Sequence, residues 1–375
     1  MRATVLTDRA LARHAGRFVW LSIDTESEKN AAFLEAYPWE AVPTFEVVDP
    51  KSRKVIYRWL GAVNARQLVE RFTEAEHALS NASGTGVDAL YAQAALLDAQ
   101  GLGAEAASAY EQALRKAPPS WPARGRAVEA LVLALAQADR NEDCARRAVE
   151  LGPTLPPGGS RANVAATGLN CALDGDEKAA WRVTAIPTLE RAVREALSFD
   201  GLLSDDRAGL LSSLVDSRDR QGDPAGSKAA ALELLAFLDA DAKKAPTAEA
   251  RAALDGYRVS AAIAAGDPSR ALGPLAASER DLPGDYNPPA RLAVILRELG
   301  RYEDALAASD RALLRVYGPR KLTVLDARAT IYEKAGDREK AKATLAQALA
   351  FADTLPESQR PKRTVARIQK RIDAM

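Results

Sequence analysis

Two stretches near the end of the chain follow one plan. Gly300-Arg301-Tyr302-Glu303-Asp304-Ala305 and Gly336-Asp337-Arg338-Glu339-Lys340-Ala341 stand 36 residues apart. An apolar helical run precedes each, Leu292-Ala293 with Leu296 in one case and Ile331-Tyr332 in the other. Glycine ends a helix cheaply because it tolerates left-handed backbone, and the polar residues after it start the next helix. A chain that turns back at such a period builds helical hairpins. One hairpin cannot bury its apolar face alone, so neighbours must stack. This pattern excludes a single large sheet or a barrel for the second half of the molecule.

The same plan shows earlier, in Ala106-x3-Tyr110-x2-Ala113-x4-Pro118 with Gly101 five residues upstream. A weaker unit ends at Ala148 and Pro153. Gly222-Asp223-Pro224 and Ala265-Gly266-Asp267-Pro268 are degenerate versions 44 residues apart. In these, glycine stops one helix, aspartate caps the next and proline fits its first turn. These residues resemble the tetratricopeptide repeat, whose unit is about 34 residues. The resemblance implies an all-α solenoid with a groove lined by the first helix of each repeat, and protein or peptide clients lying in it. Carried onto this chain, the register puts Tyr91 and Asp98 on the groove in the first unit. It puts Val294, Arg297 and Glu298 there later, and Asp326, Thr330 and Glu333 in the last clear unit. The closing segment, 357–375, has six basic and two acidic residues. Val365, Ile368 and Ile372 at helical spacing make it a helix that caps the stack.

Residues 1–78 read differently. Phe18 to Asp24 is a short apolar stretch with strand character, Lys29 to Tyr37 a helix, Phe45 to Asp49 and Lys54 to Leu60 two strands, and Asn64 to His77 a closing helix. Asp8 or Thr7 should cap a helix over Arg9–His14. Trp39-Glu40-Ala41-Val42-Pro43-Thr44 leads straight into a strand. This order resembles a thioredoxin-like domain, in particular the C-terminal domain of the thiol-disulfide interchange protein. The resemblance implies a cis Pro43, with Val42 and Thr44 beside it in a substrate-pairing position. Two family features are missing: the strand before the active motif, and the Cys-x-x-Cys itself. No cysteine occurs in residues 1–143. Thiol-disulfide exchange needs a thiolate, so the chain as it stands has no catalytic residue for it. A natural start upstream of Met1 is the expectation that would restore both.

The remaining chemistry is sparse. Cys144 and Cys171 have 26 residues between them. Each reads as a buried free thiol in a helical hairpin, with a disulfide only where two neighbouring helices bring them together. No metal-ligand spacing, phosphate-cradling glycine loop or nucleophile elbow is present, so no cofactor or metal is expected. Lys plus Arg and Asp plus Glu balance at 51 each. That balance gives no general attraction for nucleic acid. No run of 18 apolar residues could span a membrane.

The expected architecture is therefore mostly α. An incomplete α+β thioredoxin-like part (1–78) precedes tetratricopeptide-like repeats at 85–155, degenerate repeats at 159–280 and clearer repeats with a capping helix at 286–375. The expected function is a non-catalytic scaffold for protein or peptide clients. The alternative is a thiol-disulfide oxidoreductase or redox-linked chaperone whose cysteines lie upstream. A cytoplasmic location is expected for the chain as given, and a periplasmic one if an upstream signal exists.

Overall fold

The computed structural model describes residues 5–6, 8–39, 43–61, 63–81 and 86–375, the side chains of 60 and 77–81 excepted. The chain divides into two units. One comprises Met1–Trp20 and Trp39–Pro224, the other Leu21–Pro38 and Ala225–Met375. The division at Pro224 falls inside the stretch read as one block of degenerate repeats, and 21–38 leaves the N-terminal part.

In the first unit, residues Arg9–His14 form a 3-10 turn. The Asp8 carboxylate caps it, accepting the Ala10 N–H at 2.8 Å. Thr7, the alternative cap, lies outside the described residues. The strand expected at Phe18–Asp24 does not form; Val19 there is 89% exposed. A strand must give its N–H and C=O groups partners. The family fold would place a strand beside this stretch, and no such strand exists among the described residues. The two strands that do form pair with each other.

These are β1 (Thr44–Val48) and β2 (Val55–Leu60), antiparallel, with Phe45 opposite Trp59 and Glu46 opposite Arg58. The Phe45 and Trp59 rings stack at 4.8 Å. The Arg58 guanidinium donates to the Glu46 carboxylate at 2.8 Å. Tyr57 and Trp59 turn into a core with Leu11, Val63, Leu68, Phe72 and Ala95. Phe18, though not in a strand, lays its ring on Phe72 at 4.6 Å. An apolar residue thus keeps its burial even where the ladder is lost.

A short helix, α1 (Ala31–Ala36), belongs to the second unit. The helices of the first unit are α2 (Ala65–Asn81), α3 (Val87–Ala99), α4 (Gly103–Lys116), α5 (Arg124–Gln137), α6 (Asn141–Leu151), α7 (Gly159–Asp174), α8 (Arg182–Ala196) and α9 (Ser204–Arg220). The second unit continues with α10 (Pro224–Ala242), α11 (Ala248–Ala252), α12 (Asp255–Ala264), α13 (Leu272–Asp281), α14 (Asn287–Glu298), α15 (Tyr302–Leu313), α16 (Arg320–Lys334), α17 (Arg338–Thr354) and α18 (Lys362–Asp373).

The predicted turns are where the pattern put them. Gly300 (φ 72°) follows α14 and Gly336 (φ 84°) follows α16. Left-handed backbone there lets Arg301 N–H reach Leu296 O, and Asp337 N–H reach Tyr332 O, each at 2.9 Å. Both bonds satisfy carbonyls that a helix end leaves without partners. The turn between α5 and α6 has the same bond, Arg140 N–H to Leu135 O at 2.9 Å, but Asp139 (φ 54°) stands in the glycine position. That aspartate in place of glycine is why the repeat ending at Ala148 and Pro153 has the weaker sequence pattern.

Small residues set the spacing of the hairpins. Ala106, Ala107 and Ala113 on α4, and Ala305, Ala308 and Ala312 on α15, have no exposed surface. Helices α6 and α7 approach each other closely. A Cβ added to Gly168 would stand 2.3 Å from that of Ala148. Beside this contact Cys144 and Cys171 form a disulfide, with Cα atoms 6.1 Å apart. The expected free thiols are thus corrected: close helix packing brings two small buried side chains within bonding reach.

Candidate peptide-binding surfaces

The groove positions read from the repeat register fall into three situations. In the first, Tyr91 on α3 is only 9% exposed. Its ring packs on Tyr110 at 5.8 Å and edge-on to Trp121 at 5.5 Å. Trp121 in turn donates its indole N–H to the Asp88 carboxylate at 2.9 Å. Tyr91 is therefore a core residue of the α3–α4 hairpin, not an exposed groove residue. Burial also pushes its hydroxyl well above the usual tyrosine range. Asp98, near the end of the same helix, is half-buried.

In the second, Val294, Arg297 and Glu298 share the last two turns of α14. Val294 and Arg297 are partly buried and Glu298 is exposed. The Arg297 guanidinium donates to the neighbouring Glu298 carboxylate at 2.9 Å and 2.5 Å. In the third, Asp326, Thr330 and Glu333 line one face of α16, and one side chain reaches them all. Arg371 of α18 bonds to the Asp326 carboxylate, to Thr330 Oγ1 at 3.1 Å and to Glu333 at 2.7 Å. Arg367 adds a bond to Asp326 at 2.9 Å. The face predicted to receive a client is covered by the chain's own last helix. The prediction of a capping helix at 357–375 and the prediction of an open groove on α16 competed for one surface, and the cap holds it. Ile368 is fully buried in the same core as Leu322, Leu325, Leu345 and Ala348.

The N-terminal candidates are less informative. Val42 lies outside the described residues. Pro43 is exposed, and its carbonyl accepts Gly61 N–H at 3.0 Å, one bond beyond the β1–β2 ladder. Thr44 opens β1 opposite Leu60.

Sequence reasoning missed a further surface. Residues 24–31 lie on the connections that precede α14, α16 and α18. Asp24 accepts the Tyr317 hydroxyl at 2.7 Å. Glu26 accepts Arg320 Nε at 3.0 Å and the Tyr286 hydroxyl at 3.3 Å. No local signal could have shown this, because the partners are 260 to 294 positions apart. Glu26 is held above the usual carboxylate range, first by burial, against the lowering pull of Arg320. The Tyr317 hydroxyl is pushed up to about 12, chiefly by its bond to Asp24.

The helices α14 to α17 are two successive hairpins joined by matching glycine turns. Residues 286–354 match the tetratricopeptide repeat family. No curated protein matches the chain in sequence. Among solved structures, a tetratricopeptide repeat protein from Parabacteroides merdae ATCC 43184 is 10% identical, with a TM-score of 0.49 over 76% of this chain and 98% of that one. BtubC (BKLC) from P. vanneervenii is 16% identical, with a TM-score of 0.37 over 64% of this chain and 91% of that one. The TPR2AB-domain:pHSP90-complex of yeast Sti1 is 14% identical, with a TM-score of 0.29 over 76% of this chain and 98% of that one. The family match spans the two hairpins α14–α17 and their glycine turns.

Proposed function

We propose that this chain is a protein-interaction scaffold that binds a peptide of a client protein along the helices of its repeats, without chemistry of its own. The observation that carries this reading is the pair of tetratricopeptide hairpins at 286–354, with α14 presenting Val294, Arg297 and Glu298 along its last two turns. Arrays of stacked hairpins make extended surfaces that suit peptide ligands. The redox alternative rests on cysteines upstream of Met1 and gains no support from the two of this chain, which are joined in a disulfide buried between α6 and α7. That same bond favours an oxidising compartment, where disulfides persist.

The reading is tested with clients isolated by cross-linking to the full chain and rebuilt as synthetic peptides. Arg297→Glu with Val294→Asp is expected to weaken a peptide about tenfold or more, roughly the value of one desolvated charged contact. Lys342→Glu, a change on an exposed position of α17, should leave affinity unchanged. Equal affinity for all three proteins would rule out α14 as the binding helix.

A further inference from the structure

The contacts made by residues 24–31 have the features of a recognition site. Three kinds of group converge on one short turn. Tyr317 and Arg320 fix the two carboxylates, Asp24 at 2.7 Å and Glu26 at 3.0 Å. Gln359 donates its amide N–H groups to the main-chain carbonyls of Thr25 and Ser27, at 3.0 Å each. Ser358 donates to the Ala31 carbonyl at 3.0 Å. The side-chain contacts select acidic residues two positions apart, and the Gln359 contacts read the backbone whatever the side chain between them.

The receiving surface is shaped for this turn. Gly318, at φ 58°, has no Cβ, and one built there would stand 2.0 Å from the Glu26 carbonyl oxygen. Only glycine permits that approach. The turn is organised internally as well: Asp24 Oδ1 accepts Glu26 N–H at 2.9 Å, and Asn30 donates its side-chain amide to Asp24 O at 2.8 Å. The receiving residues lie on or next to the connections between helices: Tyr286 just before α14, Tyr317 and Gly318 ahead of α16 with Arg320 at its first position, and Ser358 with Gln359 ahead of α18. This is the edge of the repeat block, apart from the α14 face considered above, and it would serve even if that face bound nothing.

We propose that this edge is a docking site for an acidic Asp-x-Glu turn of a partner protein, and that residues 24–27 are a built-in occupant that a partner must displace. An internal occupant competes at the effective concentration its attachment to the same chain imposes, with no need for a second molecule to arrive. A free peptide of the same sequence should then bind the intact chain poorly, and much better once the occupant is weakened.

The test uses the full chain and a fluorescent peptide of residues 21–38, followed by anisotropy. Against wild type, Asp24→Ala with Glu26→Ala in the protein should tighten peptide binding at least tenfold. Adding Arg320→Ala and Gln359→Ala to that variant should cost at least tenfold. A peptide carrying Asn and Gln in place of the two acids should not bind. Equal affinity for wild type and the Asp24/Glu26 variant, or no saturable binding to either, overturns the proposal. Should the variant fail to fold, hydrogen exchange of the single Arg320→Ala protein decides. Exchange at the amides of Glu26 and Asn30 should rise at least tenfold while α14 and α16 stay protected, and unchanged exchange overturns the site equally.

Discussion

The α6–α7 pair and the α16–α18 pair hold neighbouring helices by opposite means. The first is dry and covalent: Cys144 and Cys171 are 0% and 3% exposed, and glycine at 168 lets the helices nearly touch. The second is ionic. Arg371 and Arg367 reach across to Asp326, Thr330 and Glu333. The difference follows the sequence. Where the glycine turn is intact, as at Gly336, the hairpin registers itself and its outer face is free to carry charge. Where Asp139 replaces the glycine, the turn is strained by left-handed backbone, and a cross-link lies on the helix that follows. The more degenerate region is the one with a covalent tie.

The largest effect should come from cutting that tie. Cys144→Ala with Cys171→Ala releases a loop of about 27 residues, for which chain entropy alone predicts a loss of about 3.5 kcal/mol. Denaturant unfolding measures it, and hydrogen exchange should show α6 and α7 opening first while α14 to α17 keep their protection. A loss under about 1 kcal/mol would mean that the close packing at Gly168 carries this pair without the bond.

Arg371→Ala probes the ionic side. It removes four charge-assisted bonds from a partly exposed site, so a loss of about 1–2 kcal/mol is expected. Limited trypsin digestion should then cut within α18 sooner than in wild type, and 0.5 M salt, where the Debye length is about 4 Å, should shrink the difference between the proteins. An effect as large as that of the disulfide would erase the contrast drawn between the two pairs.

The smallest effect sharpens the same contrast through pH. Glu279 on α13 accepts bonds from Arg311 at 2.7 Å and Arg315 at 3.2 Å. Its carboxyl is held below the usual range, first by the Arg311 bond. A lowered value stabilises the fold above the unfolded value of about 4.3, and the benefit disappears as pH falls through the lowered one. Glu279→Gln should therefore cost about 1 kcal/mol at pH 7, and progressively less as pH falls below the usual glutamate range and through the lowered value. A cost that does not change with pH would make Glu279 a packing residue and not an ionic one.

What the sequence revealed was local. The glycine turns at 300 and 336, the helices around them, the β1 and β2 strands and the Asp8 cap all follow from short-range preferences. The strand expected at 18–24 failed because strand character without a ladder partner leaves backbone groups unsatisfied. Tyr91 was misplaced because the register identifies a face but not how far an aromatic ring leans into its own hairpin. The covering of Asp326, Thr330 and Glu333 was half legible. The acids and the arginines were both visible, but nothing in their spacing joined positions 38 to 45 apart. Contacts across nearly the whole chain, such as Asp24 with Tyr317, leave no local trace at all.

The three α16 side chains held by Arg371 and the apolar surface under Ile368 are occupied together by one helix. A ligand for that face of α16 would compete with α18 for the same hydrogen bonds, so its affinity would be set by how readily α18 lets go.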